Sequence, residues 1–486
     1  MESESLSQQA SRGAMWTLGS NIAVSGISFI GTAFLARILT PKDFGLLGMA
    51  NLVTGVVGLF GRFGLGAAIV HKTDVTHQDL STAFWANTAA GTVLALACVA
   101  ISPLAALFFN EKVVMWVLIA LSLNFVLTAM CSVHSTLIYK RIEMRPLAVI
   151  EVISRLLRVG VMLVAALSGL SFWTLVLGMI VERFFKTWAF FVIERWRPAF
   201  FFSAARFMEM FRYGRNFFFG GFVGYLDQNI DFILTGRLLG AELLGVFQMA
   251  YNLPALLWTY LSESVGIVAF PVFCKVQDDN ERLVRGITKI IRYIAVGVFP
   301  ILVGLSLTAH DFILVVYGKK WLLAVAPMQV LCFSAALASI NTVISPLFNA
   351  KGRPDIYLKW SMLRMPAMIL AVFIGVELGG LVGMAWGEAI VEILSLLMVY
   401  QAFQLMDEDL RPYFRAMVPG GAATLVMVVM VLLLNQIPWL EQTRPFVRLL
   451  INAAFGATIY TATLAIGFRE TFADVWEIVK HRLLPR

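Results

Sequence analysis

Glu151, Arg155 and Arg158 are spaced by four and three residues, so a helix carries all three on one face. Glu182, Arg183 and Lys186 form a second charged set further along. Arginine grips phosphate-like oxygens with two parallel hydrogen bonds, and lysine supplies a compact charge. Two such helices side by side would gather Arg155, Arg158, Arg183 and Lys186 into a site for an anionic group. The plainer uses of these charges are snorkelling to headgroups or pairing with Glu151 and Glu182. Arg62, flanked by Gly61 and Gly64, either binds an anionic group or pairs with an acid of another helix. Asp227 and Asp231 stand four apart. Two carboxylates held together away from water do not both ionise cheaply, so one can load and release a proton, or the pair can hold sodium. Pairing with Arg237 or an arginine of the first half is the alternative. Glu263, and Glu388 with Glu392, form a second acidic set, for which Arg364 is the favoured salt-bridge partner.

The elements that carry these charges are apolar. The chain of 486 residues is 59% hydrophobic and 14% charged, with mean hydropathy +0.81, against about 25% charge in an ordinary soluble domain. That balance excludes a soluble enzyme, a nucleic-acid-binding protein and a disordered chain. A bilayer-crossing helix needs about 20 apolar residues, and that ruler finds about fourteen candidates. Lipid cannot satisfy backbone polar groups, and the runs are too long for barrel strands, so the spans are helices. The expected fold is an all-α integral membrane protein. Basic residues concentrate in alternate loops, which places both termini on the cytoplasmic side. Residues 1–13 are polar, and the first apolar stretch is long enough to remain as a helix, so no cleaved leader is expected. The net charge of +8 then sets orientation. The four cysteines are scattered, without disulfide or zinc spacing.

An internal repeat organises the spans. Arg37, Gly45, Met49, Ala50 and Gly66 recur as Arg237, Gly245, Met249, Ala250 and Gly266, all at one offset. An even number of spans separates the copies, so the repeat is parallel. The expected layout is a tail (1–13), a six-helix lobe (14–193), a linker (194–215), a second six-helix lobe (216–403), an added helix pair (416–468) and an amphipathic tail (469–486). Within the motif, Pro41 would stop the preceding helix and Asp43 is placed as N-cap of the next. Arg37 and Arg237 are expected to cap helix C-termini and hold the turn, with substrate contact as the alternative.

The stretch from Ala36 through Thr40, Pro41, Lys42 and Asp43 to Gly45 resembles the signature joining the first two helices of bacterial polysaccharide exporters. Gly64–Val70, Asp74 and Leu80–Trp85 continue the likeness, and Gly318–Trp321 and Gly352–Asp355 match later landmarks. The resemblance is to Wzx-type flippases of the multidrug/oligosaccharidyl-lipid/polysaccharide exporter superfamily, over most of residues 10–400. It implies export of an undecaprenyl-pyrophosphate-linked oligosaccharide from the cytoplasmic to the periplasmic leaflet of a bacterial inner membrane, by alternating access. It makes the cationic cluster a docking site for the pyrophosphate. The implied partners are that lipid-linked oligosaccharide, membrane lipids, a coupling proton or sodium ion, and polysaccharide polymerase or export machinery.

No P-loop, GxSxG, HExxH or nucleotide fingerprint is present, so no cofactor, metal or enzymatic activity is expected. Two other readings compete. A small-molecule multidrug-type antiporter of the same superfamily predicts a compact pocket. A membrane polymerase or ligase would need a larger extracytoplasmic loop than the short one near 310–321.

Overall fold

The computed structural model describes residues 6–61, 65–214 and 218–483, without the side chains of 6–11, 212–214, 218–223, 261–268, 478–479 and 481–483. Arg62 and the side chain of Glu263 therefore lie outside the described residues. Two units are distinguished, Met1–Gly245 and Val246–Arg486.

The first unit holds α1 (Leu6–Ile38), α2 (Pro41–Leu59), α3 (Leu65–His71), α4 (His77–Phe109), α5 (Lys112–Lys140), α6 (Met144–Leu167), α7 (Trp173–Ile193) and α8 (Ala204–Gly214). It also takes the first arm of α9 (Phe218–Lys275), which breaks at Gly240 with φ 82°. The second unit holds the rest of α9, then α10 (Asn280–Val316), α11 (Val325–Asn341), α12 (Ile344–Ala350) and α13 (Pro354–Leu394). It ends with α14 (Leu396–Gln404), α15 (Arg411–Asn435), α16 (Pro438–Glu441), α17 (Pro445–Gly467) and α18 (Arg469–Leu483).

The protein is an all-α, multi-pass membrane protein. Among the described residues, eight helical stretches are long and apolar enough to cross a bilayer. Helices α6 and α7 have the length, at 24 and 21 residues, but interrupt their apolar faces with the charged sets above. Leu107, Leu167 and Leu378 are among the large apolar side chains turned outward, at 75, 79 and 84% exposure. In water such a surface would aggregate; in hydrocarbon it costs nothing.

Local sequence explains most of the breaks. Thr40-Pro41-Lys42-Asp43 and Thr76-His77-Gln78-Asp79 are both capping boxes, starting α2 and α4. The expectation that Asp43 is itself the N-cap is corrected: Thr40 is the N-cap, and Asp43 sits at the third helical position, accepting from the Thr40 backbone N–H at 2.8 Å. A threonine hydroxyl three residues ahead of an aspartate satisfies donors at both ends of the turn, which an aspartate cap alone would not. The apolar run over 45–69 is long enough to read as one membrane-crossing helix, but α2 stops at Leu59 and α3 resumes at Leu65. Lys140, at the end of α5, donates to the carbonyls of Ile69 (2.9 Å) and Lys72, closing the open end of α3. The linker contains a helix, α8, whose Arg206 holds Asp79 and Gln78 at the start of α4.

The repeat copies meet inside the first unit. A Cβ on Gly45 would lie 1.6 Å from the Ala241 carbonyl oxygen, and one on Gly245 would lie 1.9 Å from the Pro41 oxygen. The contact is reciprocal: each glycine faces the residue four positions ahead of the other. Only glycine lets the two backbones approach this closely. Around it pack Met49, Ala50, Val114, Leu118, Val176 and Leu244. Arg237 donates to the Phe108 carbonyl at 2.7 Å, in the last turn of α4, with its guanidinium 5.6 Å from the Phe108 ring.

In the second unit α13 folds back at Gly379-Gly380, where Gly380 has φ 55°. Gly375 and Gly383 then abut across the hairpin. Val296, Ala423, Met427, Val431, Tyr460 and Leu464 make a core from α10, α15 and α17. Arg448 of α17 grips Asp311 of α10 through Nε at 2.5 Å and through Nη2. The amphipathic face of α18 packs through Phe472 and Val475 on that core, while Trp476 stays 61% exposed.

Candidate functional site

The charged faces of α6 and α7 meet. The helices run as a hairpin through a tight turn in which Gly169 (φ 77°) and Ser171 (φ 47°) are left-handed. The spacing of Glu151, Arg155 and Arg158 turns one stripe of α6 to α7, and Glu182 and Lys186 answer it one turn apart. Arg158 Nη1 lies 3.1 Å from Glu182 Oε2, and Arg155 Nη2 lies 3.5 Å from Glu182 Oε1. Lys186 Nζ stands between the two carboxylates, 3.1 Å from Glu182 Oε1 and 2.7 Å from Glu151 Oε2. Glu182 and Lys186 are each 7% exposed.

The cluster is not balanced. Four cations, Arg155, Arg158, Arg183 and Lys186, stand against two carboxylates, which leaves two positive charges in excess. Among the described residues Arg183 makes no ion pair, and the buried Nε of Arg155 has no acceptor. Ionisable groups at this depth are costly unless they face a partner or a polar cavity. A single buried glutamate shared by three cations holds them close together against their mutual repulsion.

The other expected site residues fall elsewhere. Asp227 is half-buried and Asp231 is 6% exposed, one turn apart on the first arm of α9. Thr235 Oγ1 donates to the Asp231 carbonyl at 2.6 Å, and Tyr225 OH donates to the Leu52 carbonyl at 3.0 Å. In the second unit Glu388 is half-buried, and Glu392 faces Arg364 at 3.6 Å. The structure adds neutral partners there that the sequence does not single out. Asn341 Nδ2 donates to Glu392 Oε1 at 3.1 Å and to Ser395 Oγ at 2.6 Å. Tyr413 OH donates to Asn341 Oδ1 at 3.1 Å. The first unit has a lone buried histidine, His134, packed 4.0 Å from the Phe191 ring centroid.

Comparison with known proteins agrees with this architecture. A profile described as polysaccharide biosynthesis protein matches residues 34–326. The lipopolysaccharide biosynthesis protein WzxC of Escherichia coli K12 is 28% identical over 402 residues, 82% of this chain and 81% of that one. The teichuronic acid biosynthesis protein TuaB of Bacillus subtilis is 27% identical over 470 residues, 96% of this chain and 97% of that one. Among solved structures, the lipid II flippase MurJ in an inward closed conformation shares the fold, with TM-score 0.73, 14% identity, and coverage of 93% of this chain and 99% of that one. An inward-facing multidrug resistance MATE transporter of the MOP superfamily follows at TM-score 0.58 and 14% identity, over 78% of this chain and 95% of that one. The chain belongs to the polysaccharide biosynthesis protein family.

Proposed function

We propose that the protein is a flippase that carries an undecaprenyl-pyrophosphate-linked oligosaccharide from the cytoplasmic to the periplasmic leaflet of a bacterial inner membrane, with both termini cytoplasmic. The observation that supports this reading is the unbalanced cationic cluster buried between α6 and α7. A sugar and a pyrophosphate cannot cross hydrocarbon unaided, whereas the lipid tail stays in it. A transporter for such a cargo needs buried cations whose charge is completed by the cargo. Here Glu182 is the resident anion. An entering pyrophosphate would compete with it for Arg155 and Arg158, and Arg183 supplies further positive charge. Release follows when the carboxylate takes the arginines back. The names of WzxC, TuaB and MurJ, which concern envelope polysaccharides and a lipid-linked precursor, support the substrate class.

Coupling to a proton or sodium gradient belongs to the same proposal, with Asp227 and Asp231 as the carboxylates that load the ion. Lipid hydrophobicity alone gives flipping no direction, so an ion gradient supplies it.

The test is reconstitution. Vesicles holding the full chain and a labelled undecaprenyl-pyrophosphate oligosaccharide are assayed for label reaching the far leaflet. Flipping by the wild type, lost in Arg155→Gln/Arg158→Gln, supports the docking site. Loss of gradient dependence alone in Asp227→Asn/Asp231→Asn supports the coupling site. Export of small organic cations by vesicles that flip no lipid-linked sugar would overturn the reading in favour of an antiporter.

A further inference from the structure

The segment 194–203, between α7 and α8, is irregular, yet it carries the most exposed large apolar side chain among the described residues. Phe200 is 95% exposed, and Phe201 and Phe202 beside it are exposed too. The segment leaves the end of α7 and is fastened to the start of α4. Ala199 donates its backbone N–H to Ser81 Oγ at 3.1 Å, and its carbonyl accepts from Trp85 Nε1 at 2.8 Å. Ser203 N–H donates to Thr82 Oγ1 at 3.3 Å, and Phe201 N–H to the Ala199 carbonyl at 2.8 Å. The Phe200 ring stacks on Trp85, with centroids 5.3 Å apart. Side chains of α4 thus meet backbone groups that a helix would satisfy by itself, and the phenyl groups are left facing outward.

Two outward faces run into this segment. On α4, Trp85, Val93, Leu96, Leu104 and Leu107 follow one another by eight, three, eight and three residues, which keeps them on one helical face. The four aliphatic ones are exposed. On α7, Phe184, Trp188 and Val192 stand four apart and are exposed. Helix α4 has 33 residues, and about 20 suffice to cross the hydrocarbon. Counting about 20 residues back from Leu107 ends near Thr88, so Trp85 stands about one turn, roughly 5 Å, outside the hydrocarbon. That is the interfacial layer in which tryptophan is enriched. The one acid of the segment, Glu194, is buried and paired with Arg141, so its exposed part carries no carboxylate into the lipid.

We infer that residues 198–203 are an interfacial anchor, a strap fastened to α4 that inserts Phe200 and Phe202 into the glycerol region of the leaflet holding the His77 end of α4. Its partner is the phospholipid layer itself, because the strap continues the lipid-facing stripes of α4 and α7. An irregular backbone lies at that depth only when protein or interfacial water meets its polar groups, and here Ser81, Thr82 and Trp85 meet them. The strap holds the chain that leaves α7 at the bilayer surface before it enters α8. This role does not depend on what the protein transports.

The experiment uses the full chain in vesicles of phosphatidylcholine and phosphatidylglycerol, with Cys274→Ser as background, since Cys98, Cys131 and Cys332 are buried. Spin labels are placed one at a time through Phe200→Cys, Val93→Cys and Glu209→Cys, the last replacing a side chain that is 65% exposed. Collision with oxygen, which enters lipid, is compared with collision with a nickel chelate, which stays in water. The oxygen-to-chelate ratio at 200 should lie between those at 93 and 209. It should exceed the ratio at 209 about tenfold, the exclusion that a transfer cost of about 1.4 kcal/mol produces. Phe202→Cys gives the same reading if the first variant fails to fold. A ratio at 200 equal to that at 209 would overturn the inference, because the strap would then lie in water. So would spin–spin broadening at 200 that vanishes on dilution with unlabelled chain, which would make a second copy the partner.

Discussion

The cluster of α6 and α7 and the cluster around Glu392 solve the same problem in opposite ways. Both bury a glutamate at 7% exposure inside apolar helices. Around Glu182 the partners are all cations, and positive charge is left over. Around Glu392 one arginine, Arg364, is the cationic partner, and Asn341 and Ser395 both donate to Oε1. Neutral donors that fill a carboxylate's acceptor positions rigidify a helix junction, although among the described residues Glu388, one turn before Glu392, keeps a buried Oε2 with no hydrogen-bond partner. A network with surplus charge and an arginine Nε without an acceptor is unfinished, and the proposed function has the cargo's phosphate complete it. Under the proposed function the contrast in charge, and not burial, would separate a site from a brace, since burial is the same in both.

The comparison breaks most visibly at its two glutamates. Glu182→Ala leaves Arg155, Arg158 and Lys186 packed together without their shared anion, which should cost about 3–5 kcal/mol of stability. Thermal unfolding in detergent, or the folded fraction recovered from membranes, reads this directly; an unchanged midpoint would mean the three cations are better hydrated than their burial implies. A phosphate-bearing lipid should restore part of the loss. The neutral network yields less. Asn341→Ala removes one of the two donors to Glu392 Oε1 and leaves the Tyr413 hydroxyl without its acceptor, at about 1–3 kcal/mol. Flipping per folded molecule should be unaffected, so a transport defect without a stability defect would remove Glu392 from the structural class.

How far these clusters were legible in the sequence follows from the kind of signal each leaves. Charges in apolar spans announce themselves, and the four-and-three spacing of Glu151, Arg155 and Arg158 fixed their shared face. The same logic led to Arg364 and Glu392. Asn341, Ser395 and Tyr413 carried no such mark, because a neutral polar residue is ordinary in a membrane helix and only packing reveals its partner. Asp311 and Arg448 lie far apart in sequence, and no local pattern pairs them. The helix break between Leu59 and Leu65 was hidden by an unbroken apolar run, whereas Gly379-Gly380 marked its turn openly. The two capping boxes were readable as Thr-x-x-Asp, and attention to Asp43 alone missed the threonine. The repeated Gly45 and Gly245 were visible as a pattern, but that they touch each other was not.

A smaller effect sharpens the comparison on the side of function. Arg155→Gln/Arg158→Gln keeps Lys186 within 3.1 Å of Glu182, so the buried carboxylate retains a cation and the fold should survive. What disappears is the surplus charge. Flipping should fall at least about tenfold, equivalent to roughly 1.4 kcal/mol of lost stabilisation of the bound phosphate. The replacement by lysine at both positions separates charge from shape: if only net charge matters, Arg155→Lys/Arg158→Lys transports as wild type, whereas a need for bidentate geometry leaves it impaired.

The smallest effect calibrates the others. Thr40→Ala removes the hydroxyl of the α2 capping box but leaves the Asp43 carboxylate in place, for about 1 kcal/mol. Thr76→Ala removes the matching hydroxyl at α4, where Asp79 is also held by Arg206 and Lys72. The two caps are alike in sequence; Asp43 has a neutral extra partner in Ser171, whereas Asp79 has the two cations, one of which also donates to the Thr76 hydroxyl. A smaller stability loss at Thr76 than at Thr40 would show that a carboxylate already paired with cations depends less on its cap. That is the behaviour expected of Glu182, whose several cations share the work of holding it, and not of Glu392, which relies on each neutral partner in turn. Equal losses at the two threonines, measured by thermal unfolding, would instead mean that the cations around Asp79 contribute little. The surplus charge around Glu182 would then have to be argued from transport alone.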